Sequence, residues 1–487
     1  MNKIKLLTCV FAGMMGLTGC GDFGDTNVDP NNPSQPNTSF MFTYACRSVP
    51  EFTLSGTYNP WSQLYPQYIS ERKTIQHSRF LQSNFGIGTY YTEPIRNLET
   101  IIKLNMDEAT RNETYVAAFG SPENQIAAAR TLRAYYYMHL TDALGMIPYS
   151  EAVKGDEGNF TPKFDTQEFI YTDLDKELTE AYVQFNENGS LNKDYDILYN
   201  GNIANWKKLN ASLRMMMAIK LSDVAPEVGK ARFAKAYADG GMTQNEERLE
   251  YKYLAESANE NPMYNNIEVQ KRHDFAPSKT LLDQLIAYND PRLAAYADPN
   301  SDGEYAGIPF GLEQADLSLY TNTTATLDKR YYEQNSPMVV ISPSHILLIE
   351  AEAALRGWIS DDAESLYKAG ITASFDQYEL ASEIDAYYAQ PEIAFTGSTE
   401  EKIKKIGMQR WLANFMQDGF EAWSDWRRLN VPDIKPGPNA TVSHIPYRKV
   451  YDTPDFNSNS SNYEAAIAVQ GPDEPDTRVW WDVAPNN

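Results

Sequence analysis

Apolar side chains between Ser121 and Leu144 recur at helical spacing, and the residues at either end read as start and stop signals. Ser121 stands where an N-cap is expected, Pro122 suits a first turn, and Gly145 with Pro148 marks the end. Ala127, Thr131, Ala134 and Met138 fall on one stripe, beside a bulkier flank of Leu132, Tyr135, Tyr136 and His139. Three of the stripe residues are small, so a second helix can approach closely. This helix is therefore expected to stack against others, as in tetratricopeptide repeats.

The same period predicts a helix over Tyr90–Asn105, antiparallel to the first, and a further pair over Phe164–Asn186 and Gly201–Asp223. In the last of these, Trp206, Leu209, Leu213 and Met217 form an apolar stripe that reads as core. From Ala225 to Pro343 the period is lost, which predicts loops with a few short helices. It returns at Ser342–Gly357 and again after Asp361 and Asp362. One long helical stretch, Glu401–Asp425, follows, ending near Arg427 and Arg428, which read as structural. From Asn430 onward Pro, Asn and Ser break any period, and this tail is expected to wrap over the body. The predicted fold is all-α, with tetratricopeptide-like helical pairs and a loop-rich second half.

Aromatic residues cluster where helices are interrupted. Trp61, Tyr65 and Tyr68 recur at helical spacing, but Pro60 and Pro66 prevent a long helix. Rings beside irregular backbone serve either as a binding surface or as packing under neighbouring helices. Trp61, Tyr65 and Tyr58 are the candidate ligand platform, with Tyr305 and Phe310 in EYAGIPFG as a second edge. The chain holds 32 tyrosines and 8 tryptophans, which suits recognition of flat, polar ligands as well as amphipathic packing.

A net charge of −24 over 487 residues argues against nucleic acid as a partner, because nothing would neutralise its phosphates. Lys3 and Lys5 precede an apolar run, Leu6–Leu17, that is too short to span a bilayer as a permanent helix. Leu17-Thr18-Gly19-Cys20 resembles a bacterial lipobox, so residues 1–19 are expected to be removed and Cys20 lipidated. Residues 20–38, rich in Asp, Asn, Pro and Gly, read as a tether, and 39–487 as a single domain with its excursion at 225–343 and its tail at 430–487. Cys46 is then the one remaining thiol, so no intrachain disulfide is expected, and it reads as a small buried residue.

Catalytic motifs are missing from the sequence. The five histidines form no HExxH and no close pair, there is no GxSxG, and no phosphate-binding loop is present. Asp298-Pro-Asn300-Ser-Asp302-Gly303 imitates half of a calcium loop, but Pro309 stands where its bidentate Glu is needed, so it reads as a polar turn. No cofactor and no metal are expected, and binding is favoured over catalysis.

Several segments in one order resemble a known family: the lipobox with TNVDPNNPS, AARTLRAYYYMHLTDALGMIPYSEA, DPRL with EYAGIPFG, IEAEAALRGW, YKAGITASF, QRWLANFMQDGFEAWSDWRRLNVP, IPYRKVY and TRVWWD. Together they are similar to SusD/RagB-type nutrient-binding outer-membrane lipoproteins of the second SusD-like group. That resemblance implies a lipid-anchored protein on the outer face of the outer membrane. It would capture an oligosaccharide, or a peptide, and pass it to a SusC-like TonB-dependent transporter without covalent chemistry. A surface glycan hydrolase and a scaffold that binds only the transporter are the alternatives.

Overall fold

Most periodic segments fold as helices near where the pattern places them. A computed structural model describes residues 37–54, 60–81, 84–453 and 457–483. The expected leader, Cys20, most of the tether and Tyr58 lie outside the described residues. The main helices are α1 (Thr38–Arg47), α2 (Val49–Leu54), α3 (Trp61–Leu64), α4 (Arg96–Met106), α5 (Pro122–Leu144), α6 (Gln167–Gln184) and α7 (Ile203–Lys220). They continue with α8 (Pro226–Asp239), α9 (Lys279–Ala287), α10 (Pro343–Leu355), α11 (Ala363–Asp376), α12 (Thr399–Ala413), α13 (Gly419–Leu429) and α14 (Ser460–Gln470). No described helix is long and apolar enough to cross a membrane.

Pro122 opens α5, and Gly145, at φ 79°, closes it with a backbone bond from its N–H to Thr141 O at 2.7 Å. The Ser121 hydroxyl does not cap the helix as expected; it reaches the carbonyl of Ser190 instead. Helix α5 is buried around most of its circumference rather than along one stripe. It packs against α4, α6, α7 and α13, and the chain builds outward through α7 with α8 and α10 with α11. Arg130 and Arg133 of α5 both bond Glu177 of α6 at 2.7 Å, and Arg133 also reaches Glu99 of α4.

Three expectations need correction. Residues 401–425 are two helices, because Met416 takes a positive φ of 54° and Asp418 then caps α13 by accepting the Glu421 N–H. The excursion region begins with a regular helix, α8, whose buried residues Gly229, Phe233 and Ala236 keep helical spacing. The tail carries α14, of which only Ala466 is buried, so its apolar signal is weak.

The tail does run over the body. Tyr447 N–H bonds Pro475 O, Lys449 N–H bonds Ala143 O, and Gln470 accepts the Met146 N–H just past the end of α5. Short strands stitch distant segments: Ile69–Glu71 pairs antiparallel with Phe275–Pro277, and Val450–Tyr451 pairs parallel with Asn84–Phe85. The calcium-like stretch is a polar turn, with Asn300 Oδ1 accepting the N–H groups of Asp302 and Glu304. Cys46 is buried and free.

Arg427 and Arg428 are buried inside the body. Arg428 grips Glu352 of α10 through two bonds at 2.5 and 2.6 Å, and Arg410 of α12 adds a third contact at 3.2 Å. Burial opposes the charge on Glu352, yet Arg428, Arg356 and Arg410 hold its carboxyl well below the usual carboxylate range.

Candidate functional site

Of the residues expected to form a platform, Trp61 and Tyr65 lie in the core. Trp61 is 2% exposed and meets Phe420, Phe85 and Trp423 with ring centroids 4.8, 5.2 and 5.6 Å away. The reason is local. The single turn α3 tucks under α13, so Trp61 and Tyr65, the residue that ends the turn, both meet Trp423 of the helix above. Lys449 sits 4.7 Å from the Trp61 ring and 4.9 Å from the Tyr65 ring, and its ammonium donates to the Tyr65 hydroxyl at 3.1 Å. Burial pushes the Lys449 pKa down to about 7. Phe310 is also buried, 5.7 Å from the Phe80 ring, and Tyr305 lies half-buried against the core. Trp61, Tyr65 and Phe310 thus belong to one buried aromatic chain linked through Phe80, and Tyr305 keeps part of its surface exposed.

A cleft of about 840 Å³ opens elsewhere. Three separate segments build it. Tyr91 and Thr92 come from a π-helical turn carrying Pro94 at the entry to α4, and Arg96, Thr100 and Lys103 follow along one side of that helix. The loop after α5 supplies Pro148, Val153, Asn159 and Phe160, and the tail supplies Ser458 and Asn459. Asn459 donates to Pro162 O at 2.6 Å and so fixes the tail against that loop.

Phe160 is 78% exposed, the most exposed aromatic ring among the described large apolar residues. Its ring lines the cleft, together with the half-buried Tyr91, whose hydroxyl donates to Pro148 O at 2.6 Å. Lys103 pairs with Asp156 and Glu157, each at 3.5 Å. Burial opposes the Lys103 charge, but Asp156 and Glu99 beside it raise its pKa and keep it ionised. Arg96 is exposed at the rim, without an ion-pair partner among the described residues.

No histidine or cysteine lines the cleft, so it has no thiol or imidazole for nucleophilic or acid–base work. What it offers is an aromatic ring, an apolar wall and a fringe of hydroxyl, amide and charged groups, the usual makeup of a small-molecule binding site. A wider polar cleft near Asn245 and Lys368 carries no aromatic ring in its lining. The sequence did hold a signal for Phe160. It is a large apolar residue in a loop bounded by Gly158 and Pro162, with no helical period to bury it.

Comparison with known proteins gives a consistent result. A family model, SusD-like_2, described as starch-binding associating with outer membrane, matches residues 30–452. A solved chitin-binding protein is 26% identical, with a TM-score of 0.77 over 92% of this chain and 100% of its own. A SusD homolog from Bacteroides fragilis is 25% identical, with a TM-score of 0.77 over 91% of this chain and 99% of its own. A chitin-binding SusD homolog from Flavobacterium johnsoniae, 24% identical, shares the fold with a TM-score of 0.78 over 93% and 99%. No curated relative matches the chain.

Proposed function

The chain belongs to the SusD-like family, and from that membership we propose that it captures an oligosaccharide at the cell surface and delivers it to a SusC-like TonB-dependent transporter. In this reading residues 1–19 are a lipoprotein leader, Cys20 carries the lipid, and residues 20–38 tether one body, 39–487, to the outer face of the outer membrane. The protein binds and hands over; it breaks no bond. The observation that carries the reading is the cleft lined by the exposed ring of Phe160. A sugar ring lays its C–H face on the Phe160 ring, and its hydroxyls pair with Asn159, Thr92 and Thr100 along the walls. The family description and the chitin-binding name of a matched structure favour a glycan over a peptide.

The test uses Cys20→Ala protein, which stays soluble under this reading. Calorimetry against chitin and starch oligosaccharides is expected to show binding to at least one, with no new reducing ends released. Release of reducing ends would establish a hydrolase. Binding of short peptides but of no glycan would move the ligand to the peptide class. Palmitate labelling in the native host is expected for wild type and not for Cys20→Ala; labelling of both would remove Cys20 as the anchor.

A further inference from the structure

We propose that the body holds one divalent first-row transition-metal ion between α5 and α13, on His139, Asp418 and Glu421. His139 is 0% exposed, and both carboxylates are buried with it. One ligand atom from each of the three residues lies within 4.8 Å of the others. His139 Nε2 is 3.2 Å from Asp418 Oδ2, and its Nδ1 is 3.8 Å from Glu421 Oε1. Yet neither ring nitrogen makes a hydrogen bond, and neither Asp418 Oδ2 nor Glu421 Oε2 has a hydrogen-bond partner. One ring nitrogen alone can face an ion, and the pair His139 Nε2–Asp418 Oδ2 has the spacing of neighbouring ligands of one ion. Ligands about 2.0–2.2 Å from a metal stand roughly 3–3.6 Å apart in a tetrahedral site.

Second, His345 faces the same carboxylate. Its Nε2 lies 3.7 Å from Glu421 Oε2, also without a hydrogen bond, while its Nδ1 is turned by Asn414 at 3.0 Å. That outer bond orients the ring toward the centre, as partners of metal-binding histidines do. Asp418 is oriented similarly, because its other oxygen accepts the Glu421 N–H at the start of α13.

Lys220 Nζ bonds Asp142 at 2.6 Å and also Oε1 of Glu421, leaving Oε2 clear. Asp142 and Glu421 thus share the Lys220 ammonium, with the Arg427 guanidinium also beside them both. The nearby Arg410 and Arg428 are engaged by Glu352 and Asp425. Imidazole with carboxylates suits zinc, manganese or iron among divalent ions. Because the group is closed to solvent, the ion is structural and enters as the chain folds.

The test is metal analysis of Cys20→Ala protein purified without chelator from cells grown with added zinc and manganese. About one first-row metal per chain is expected by plasma emission. Cobalt-grown protein is expected to show ligand-field absorption that His139→Gln and Asp418→Asn lose. If those variants fail to fold, the stoichiometry and cobalt spectrum of the parent protein decide alone. Metal far below one equivalent together with no cobalt spectrum would overturn the proposal.

Discussion

Trp61 marks the difference between an aromatic residue that looks available in sequence and one that is buried in the fold. Its neighbours Phe420 and Trp423 arrive from far along the chain, so nothing local announces its burial. Trp61→Ala is expected to cost about 3–5 kcal/mol in urea unfolding, as large-to-small changes in a packed core do. A folded variant of wild-type stability with weakened ligand binding would return Trp61 to the platform. Glu350 gives a pH-dependent prediction. Burial, with Asp361 beside it, raises its pKa from 4.5 to about 8. The folded state thus holds a proton that the unfolded state releases. This contribution to stability is full below pH 4.5 and is lost as pH rises toward 8. Glu350→Gln is expected to raise Tm over wild type at pH 9 and to change it little at pH 5. An equal shift at both values would show that Glu350 does not titrate in this range.

At the level of elements, helix ends carried by local chemistry were legible. Gly145 terminates α5, and Ser342 and Asp362 cap α10 and α11 through their side chains, where the sequence places them. The break at Asn414–Asp418 was not legible, because apolar spacing continues across it and the turn depends on contacts with Gln63. Helix α8 was missed because its buried stripe is only three residues wide. Ala134, 2% exposed within α5, tests the close packing of that helix. Ala134→Leu is expected to cost about 1–3 kcal/mol through overpacking, read by urea unfolding. Arg428→Gln tests the tie between α10 and α13. Removing one partner leaves Glu352 buried without its main counter-charge, at a cost of about 3–5 kcal/mol by the same measurement. Wild-type stability in either variant would show that these helices are not held together as described.

For the whole molecule, the family was readable because its motifs keep one order along nearly the entire chain, even though each is weak alone. The cleft was not readable, because it exists only where the entry to α4, the loop after α5 and the tail converge. Those segments carry no shared motif, and Tyr90–Asn105 reads simply as a helix. The His139 group was hidden for the same reason: helices far apart in sequence bring its members together. The central claim is that the cleft holds the ligand, and calorimetry comparing wild type with Phe160→Ala tests it most directly. Phe160 packs little against the body, so its loss is expected to leave Tm unchanged and to weaken glycan binding at least about tenfold, the loss of roughly 1.4 kcal/mol. Undiminished affinity in the folded variant would contradict the assignment and place the ligand elsewhere on the molecule.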